Sequence, residues 1–321
     1  MATATETHAL LEVAHLSVSV LSNGGIRELI HDVSFSVRAN EVLVFLGESG
    51  SGKTILARSL TKLFPTAPAV RIDGSVIFEG QDLLTLEERG LSAIRRHRIR
   101  YVFQEPMQSL NPVAKIGQQM RLASDHPSKD DRILHDALRL VGLAGGGEVL
   151  NRYPHELSIG MAQRVCIAMA VLSSPALLIA DEPTSAVDAS LRRRILDLLI
   201  SIQRSRPMSL AVITHDLDVA RCYGDRIIVV YGGKIIESAG WKAFFERPLH
   251  PYSRLLVAAQ PPGRNPVVSL DPMPAPAIAD VPRQGCAFQP RCPSAQDNCK
   301  EIEPALEQLG GEREVRCLYW K

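Results

Sequence analysis

The chain is short of aromatic side chains, has almost no net charge, and lacks any long apolar run. Phe, Trp and Tyr together make up 5% of its 321 residues, with only two tryptophans. That scarcity disfavours an aromatic-rich β-sandwich and favours an α/β interior of Leu, Ile, Val and Ala. Lys and Arg number 36 against 35 Asp and Glu, a formal net charge of +1. So balanced a chain is not expected to take nucleic acid as its partner. The longest uncharged apolar stretch, Val165 to Ala180, is broken by Ser173-Ser174-Pro175 and is too short to cross a bilayer. Residues 1–13 contain no basic segment followed by an apolar run of secretory length. A cytoplasmic setting with reduced thiols is therefore expected. Hydrophobic residues at 45% and charged residues at 22% are enough for a sizeable core, which excludes disorder as the main state.

Local patterns then divide the chain. Residues 10–20 and 30–38 alternate apolar and polar side chains around Asn23-Gly24-Gly25, as antiparallel strands joined by a turn do. Val42-Leu43-Val44-Phe45-Leu46 is the continuous apolar run of a strand buried on both faces. Buried-strand patterns return at 176–180 and 209–214, and helical spacing at 165–172 and 190–204. This alternation predicts a parallel sheet flanked by helices. Residues 117–150 read as mainly helical, and 226–237 as a hairpin turning at Gly232-Gly233. Seven prolines between 261 and 282 predict an extended linker. The expected organisation is a large domain over 1–260 with a helical lobe near 83–165, the linker, and a cysteine-bearing segment over 283–321.

Two motifs carry phosphate chemistry. Gly47-Glu48-Ser49-Gly50-Ser51-Gly52-Lys53-Thr54 fits G-x-x-x-x-G-K-[ST] and lies between the buried strand and a helical repeat, the context this phosphate loop needs. Its glycines let backbone N–H groups converge on phosphate oxygens. Lys53 supplies a point charge for the β- and γ-phosphates, and Thr54 a hydroxyl for magnesium. Asp181 and Glu182 end the buried run Leu177-Leu178-Ile179-Ala180, where open α/β sheets bind ligands. There Asp181 suits a magnesium ligand and Glu182 a general base that polarises water.

Leu157-Ser158-Ile159-Gly160-Met161 resembles the signature motif of the ATP-binding cassette ATPases. Other marks follow in the order that family carries them. The resemblance implies that Ser158 and Gly160 contact the γ-phosphate of a nucleotide held by a second cassette. Gln104 resembles the Q-loop glutamine at the magnesium site, Asp188 within Ser185-Ala186-Val187-Asp188 the D-loop at the dimer interface, and His215 the switch histidine that senses the γ-phosphate. It implies a P-loop α/β core with an antiparallel β edge, a helical lobe and a small cysteine-rich appendage. Also implied are ATP and Mg²⁺, a second cassette that is a distinct paralogue, two membrane permeases, and an extracytoplasmic solute-binding protein acting indirectly. The expected location is peripheral, on the cytoplasmic face of the membrane.

A narrower resemblance is to the ATP-binding subunits of oligopeptide and dipeptide importers. It rests on Met161, on His250-Pro251-Tyr252, and on Cys286, Cys292, Cys299 and Cys317. In that subfamily the tail is similar to an iron–sulfur segment, which implies a [4Fe–4S] cluster on the four cysteines. Four thiolates are equally a ligand set for structural zinc, and unligated thiols are a third reading. Cys166 and Cys222 fall in expected core elements as small apolar residues. One position departs from the family, because Val20 stands where an aromatic would stack on adenine, and His15 and Phe35 are the candidates to replace it. Importers of nickel chelates, opines or other small solutes, and soluble cassette proteins without a transporter, are the alternative functions.

Overall fold

Five apolar residues in succession, Val42–Leu46, are all buried, as a strand covered on both faces requires. The computed structural model describes residues 9–22, 25–64, 69–124, 131–143, 145–259, 281–282 and 284–321. The expected linker lies outside the described residues except for Val281 and Pro282, as do Asn23 and Gly24 of the first turn. In chain order the strands are β1 (Ala9–Ser22), β2 (Gly25–Arg38), β3 (Val42–Leu46), β4 (Val70–Phe78), β5 (Gln81–Asp82) and β6 (Ile99–Val102). They continue as β7 (Leu177–Asp181), β8 (Ser209–Thr214), β9 (Arg226–Tyr231), β10 (Lys234–Gly240), β11 (Glu307–Leu309) and β12 (Arg313–Val315).

The chain divides into two compact units. The first holds Arg38–Glu41 and Leu86–Ile213. Its strands run parallel in the order β8-β7-β6, with Asp181 opposite Ile213. Helix Ile159–Val171 is apolar nearly all round and buries Ala162, Val165, Ile167, Ala168, Ala170 and Val171, as an enclosed helix must. Helices Pro106–Ser109, Ile116–Ala123 and Arg132–Leu140 pack against it, and it packs in turn on β6. Cys166 on this helix behaves as core, since burial pushes its thiol up to about 12.

The second unit holds Ala9–Val37, Val42–Thr85 and Thr214–Lys321. It carries an antiparallel sheet in the order β2-β1-β4-β5 and a further run β11-β12-β10-β9-β3, in which β3 and β9 are parallel. Phe35 is buried edge-on against Phe45, 5.2 Å between ring centroids, so it belongs to the core. Cys222 departs from expectation and is exposed. Helix Leu217–Tyr223 buries Val219 and Ala220, and two residues beyond Ala220 lies about 200° further round, on the outer face.

The cysteine-bearing segment packs into the body of the second unit. β12 extends β10 through Glu237–Val315 and Ser238–Glu314 pairs, and Val315 is fully buried. Phe288 is buried against Tyr231, Tyr252 and His250, with ring centroids 5.2, 5.4 and 5.7 Å away. The segment thus takes its interior from residues far behind it in sequence. His250 caps helix Pro251–Ala258 by accepting the Tyr252 N–H at 3.0 Å.

Burial, with a smaller contribution from Arg254, pushes the His250 imidazole down to about 3. Its unfolded value is near 6.5, so between about pH 6.5 and 3 the unfolded chain binds a proton that the folded chain refuses. Stability should therefore fall as pH drops through that window, by up to about 1.4 kcal/mol per pH unit from this group. Denaturant melts of the parent and His250→Gln at pH 7, 6 and 5 check this, and the variant should show the shallower pH dependence.

Candidate nucleotide-binding site

The phosphate loop is shaped by two kinds of glycine. A Cβ on Gly47 would stand 2.3 Å from the Val230 carbonyl oxygen of β9, so no side chain fits between loop and strand. Gly50 has open space around it but φ of +83°, and Gly52 caps helix Lys53–Ser59 at φ of +106°. Both adopt the left-handed conformation that glycine takes at least cost. The Gly233 N–H donates to the Ser51 carbonyl at 2.9 Å, pinning the loop to the turn between β9 and β10. Lys53 is buried, and its ammonium donates to the carbonyls of Gly47 and Glu48 at 2.7 Å each and to Ser51 Oγ at 3.3 Å. Ser49, Gly50 and Thr54 complete the loop in the second unit.

In the first unit Asp181 ends β7 and is buried, and Glu182 follows at φ of +46°. A left-handed glutamate stores strain on the order of 1 kcal/mol, a feature concentrated at functional sites. It is held there by its N–H donating to the Ile213 carbonyl at 2.9 Å and by Ser185, whose N–H and Oγ both reach the Glu182 carbonyl at 3.1 Å. Ser158 is exposed and caps helix Ile159–Val171, accepting the Met161 N–H at 3.3 Å. Gly160 lets that helix approach Leu191, whose Cδ2 would lie 2.4 Å from an added Cβ. Asp188 caps helix Ala189–Ser205, accepting from Ser190 Oγ at 2.7 Å and the Leu191 N–H at 3.0 Å. These bonds, the Ser190 hydroxyl first, hold its carboxyl below the usual range. Gly160 and Asp188 therefore both lie against Leu191. Gln104 is exposed just beyond β6, and His215, in the second unit, is exposed just beyond β8. Val20 is half-buried on β1 opposite Val70, and His15 is exposed on an irregular stretch of the same strand, its Nδ1 2.7 Å from Asp32.

The sequence pattern of the ABC transporter family matches residues 30–185, and that of the oligopeptide/dipeptide transporter C-terminal region matches 236–299. A probable peptide ABC transporter ATP-binding protein, y4tR of Sinorhizobium fredii, is 38% identical over 96% of this chain and 94% of its own length. The dipeptide transport ATP-binding proteins DppD of Haemophilus influenzae and Escherichia coli are 39% and 37% identical, covering 96% and 97% of this chain and 95% and 97% of their own. The chain belongs to the ABC transporter family. Its fold agrees with a dimeric ATP-binding cassette, MJ0796, in a post-hydrolysis state with ADP and Pi, at a TM-score of 0.63 and 25% identity over 72% of this chain and 98% of that one.

The described residues contain no helix long and apolar enough to cross a membrane. Beyond the nucleotide motifs, Cys286, Cys292, Cys299 and Cys317 all line one cavity of about 20 Å³, shared with His250 and Phe288. Burial, followed by smaller contributions that include neighbouring cysteines, raises the thiols of Cys286, Cys292 and Cys317. Among the described residues no three His, Cys, Asp or Glu side chains are grouped closely enough to hold a metal ion. A cavity this small admits about one water, so a cluster would enter only as the four side chains move apart.

Three residues around the phosphate loop, Arg291, Tyr231 and the side chain of Glu48, escape a motif reading. Arg291 donates to both carboxylate oxygens of Glu48, at 2.8 and 3.0 Å, and Tyr252 Oη accepts the Glu48 N–H at 3.0 Å. Tyr231 Oη lies 3.5 Å from Arg291 Nη1. Glu48 is a free position in the loop pattern, and Arg291 stands 243 residues away, so the only signal was its place beside Cys292.

Gly47→Ala should force the loop off β9, costing about 1–3 kcal/mol as overpacking does. Gly50→Ala, with open space but the wrong φ, should cost about 1 kcal/mol. Thermal melts of both variants alongside nucleotide titrations check the order, with Gly47→Ala the worse in each.

Proposed function

We propose that this protein is the ATP-binding and hydrolysing subunit of an importer for di- and oligopeptides, working with two permease subunits and a second, distinct cassette at the cytoplasmic face of the membrane. The observation that carries the reading is the phosphate loop, which folds over the start of helix Lys53–Ser59 and draws the buried Lys53 ammonium to the carbonyls of Gly47 and Glu48 and to Ser51 Oγ, where a polyphosphate would sit. The peptide cargo is supported by the names of the relatives, which match this chain over nearly its whole length including the tail. Residues 1–260 act as the ATPase, 261–282 as a linker and 283–321 as the cysteine segment.

Gly47, Ser49, Gly50, Ser51 and Gly52 present backbone N–H groups to the phosphates, and Lys53 bridges the β- and γ-phosphoryl oxygens. Thr54, Gln104 and Asp181 would hold Mg²⁺, an assignment the hydroxyl, amide and buried carboxylate donors fit as hard oxygen ligands. Held by these residues, Mg²⁺ would supply positive charge against the transferred phosphoryl group. Glu182 takes the proton from the attacking water, and His215 orients that water from the γ-phosphate side. Ser158 and Gly160, with Asp188 at the start of the next helix, complete the site of the opposite cassette rather than their own. Closure of two cassettes on ATP and their reopening after hydrolysis would then drive the permeases.

Glu182→Gln should keep ATP binding and lose about 10²–10⁴ in turnover, while Lys53→Ala should weaken binding itself. Equilibrium ATP titration and phosphate release on the assembled complex separate the two. Parental turnover in Glu182→Gln would dismiss it as the base.

Cys286, Cys292, Cys299 and Cys317 are proposed to bind a [4Fe–4S] cluster once their side chains move apart to admit it, a reading supported by all four soft donors lining one cavity. Protein purified without oxygen should hold about four iron per chain and absorb in the visible, and any one Cys→Ser change should bleach it. Stoichiometric zinc without colour would replace iron by a structural zinc site.

A further inference from the structure

Every polar group of Glu48 is engaged, and its bonds reach Arg291, Tyr252 and the phosphate loop itself. Its carboxylate is gripped by Arg291 through two parallel bonds, Nη1 to Oε2 at 2.8 Å and Nη2 to Oε1 at 3.0 Å. Its N–H donates to Tyr252 Oη at 3.0 Å, and its carbonyl accepts Lys53 Nζ at 2.7 Å and the Ser51 N–H at 3.2 Å. A path of direct contacts therefore runs from Arg291 through Glu48 to the lysine of the phosphate loop.

Arg291 is held firmly at its own end. It closes a one-turn helix, Gln289–Arg291, in which its N–H donates to the Phe288 carbonyl at 3.0 Å. Cys286 and Cys292 bracket that turn: the Cys286 carbonyl accepts the Gln289 N–H at 3.0 Å, and the Cys292 N–H donates to the Gln289 carbonyl at 3.2 Å. Phe288, buried among Tyr231, Tyr252 and His250, anchors the turn to the body of the unit. The guanidinium also sits 5.8 Å from the Tyr231 ring centroid. Its side chain is 17% exposed and that of Glu48 28%, so the pair is partly shielded from water and salt.

Charge explains what the pair does. Glu48 places a carboxylate one residue after Gly47, inside a loop whose business is to attract an anion. Unopposed, that carboxylate would repel a polyphosphate and would compete for the Lys53 ammonium. A planar guanidinium satisfies both of its oxygens at once, which a lysine cannot do.

We propose that Arg291 is a positioning residue for nucleotide binding: delivered by the cysteine segment, it neutralises Glu48 and holds the loop in the shape that carries Lys53 and the phosphate-binding amides. The inference rests on reading Gly47–Thr54 as the ATP cradle. It gives the segment a second role besides any cofactor it holds, because displacement of the turn between Cys286 and Cys292 would be felt as ATP affinity.

Equilibrium titration of the full chain with ATP and Mg²⁺ tests it without recourse to turnover. Arg291→Ala should raise the Kd about tenfold and Arg291→Lys about threefold, the scale of a lost charge-assisted contact. The double variant Arg291→Ala/Glu48→Gln should recover to within about twofold of Glu48→Gln alone, since removing the carboxylate removes the need for the arginine. A merely structural tail anchor would not be rescued in this way, so a double variant as weak as Arg291→Ala overturns the proposal. Parental affinity in Arg291→Ala overturns it too. Lys53→Ala separates the two readings: if it alone loses ATP, the cradle stands and only the role of Arg291 falls, whereas parental affinity in Lys53→Ala removes the cradle itself.

Discussion

A buried ammonium held by the carbonyls of its own loop is the constraint around which the second unit is arranged. Gly47, Glu48 and Ser51 offer the buried Lys53 ammonium oxygens at hydrogen-bond distance, which lowers the cost of taking it out of water. That in turn requires the loop to fold tightly over the end of its helix. Gly47 must lie against the backbone of β9, Gly50 and Gly52 must turn left-handed, and Gly233 must tie Ser51 down. Each of these is a backbone demand, which is why glycine recurs where chemistry alone would ask only for a cation.

The first unit meets a comparable demand with a different device. Asp181 needs no special backbone, since the end of a fully buried parallel strand already presents it. Glu182 does, and its positive φ is maintained by bonds from Ser185 and to β8 rather than by a glycine. The strain is local and is offset by burial of β7 and β8, whose residues are enclosed along their full length. Helix caps at Ser158 and Asp188 show the same economy, because a residue that caps a helix also carries an exposed oxygen at the surface.

The cysteine segment changes what the second unit is. Its strands lengthen the sheet beyond β10, Phe288 fills a space between Tyr231, Tyr252 and His250, and Arg291 reaches the phosphate loop. Tyr252 belongs to the same arrangement, since its hydroxyl takes the Glu48 N–H while its ring packs on Phe288. Tail, helix Pro251–Ala258 and phosphate loop are thus joined by direct contacts.

The sequence by itself determined the parts whose physics is local. Apolar runs marked β3, β7 and β8, glycine pairs marked the β9–β10 turn, and the spacing of Gly47, Gly52, Lys53 and Thr54 marked the loop, because strand burial, left-handed turns and phosphate contact each act over a few residues. Only the tertiary structure decided what depends on partners distant along the chain. β11 and β12 are three residues each, too short to leave a periodic signal, and they exist because β10 offers them an edge. Cys222 faces out because of which side of its helix packs, and the tail has a core because Tyr231 and Tyr252 supply one. The Arg291–Glu48 pair is the extreme case: a charge in a variable position of a motif gains its meaning from a guanidinium 243 residues away, and nothing short of folding brings them together.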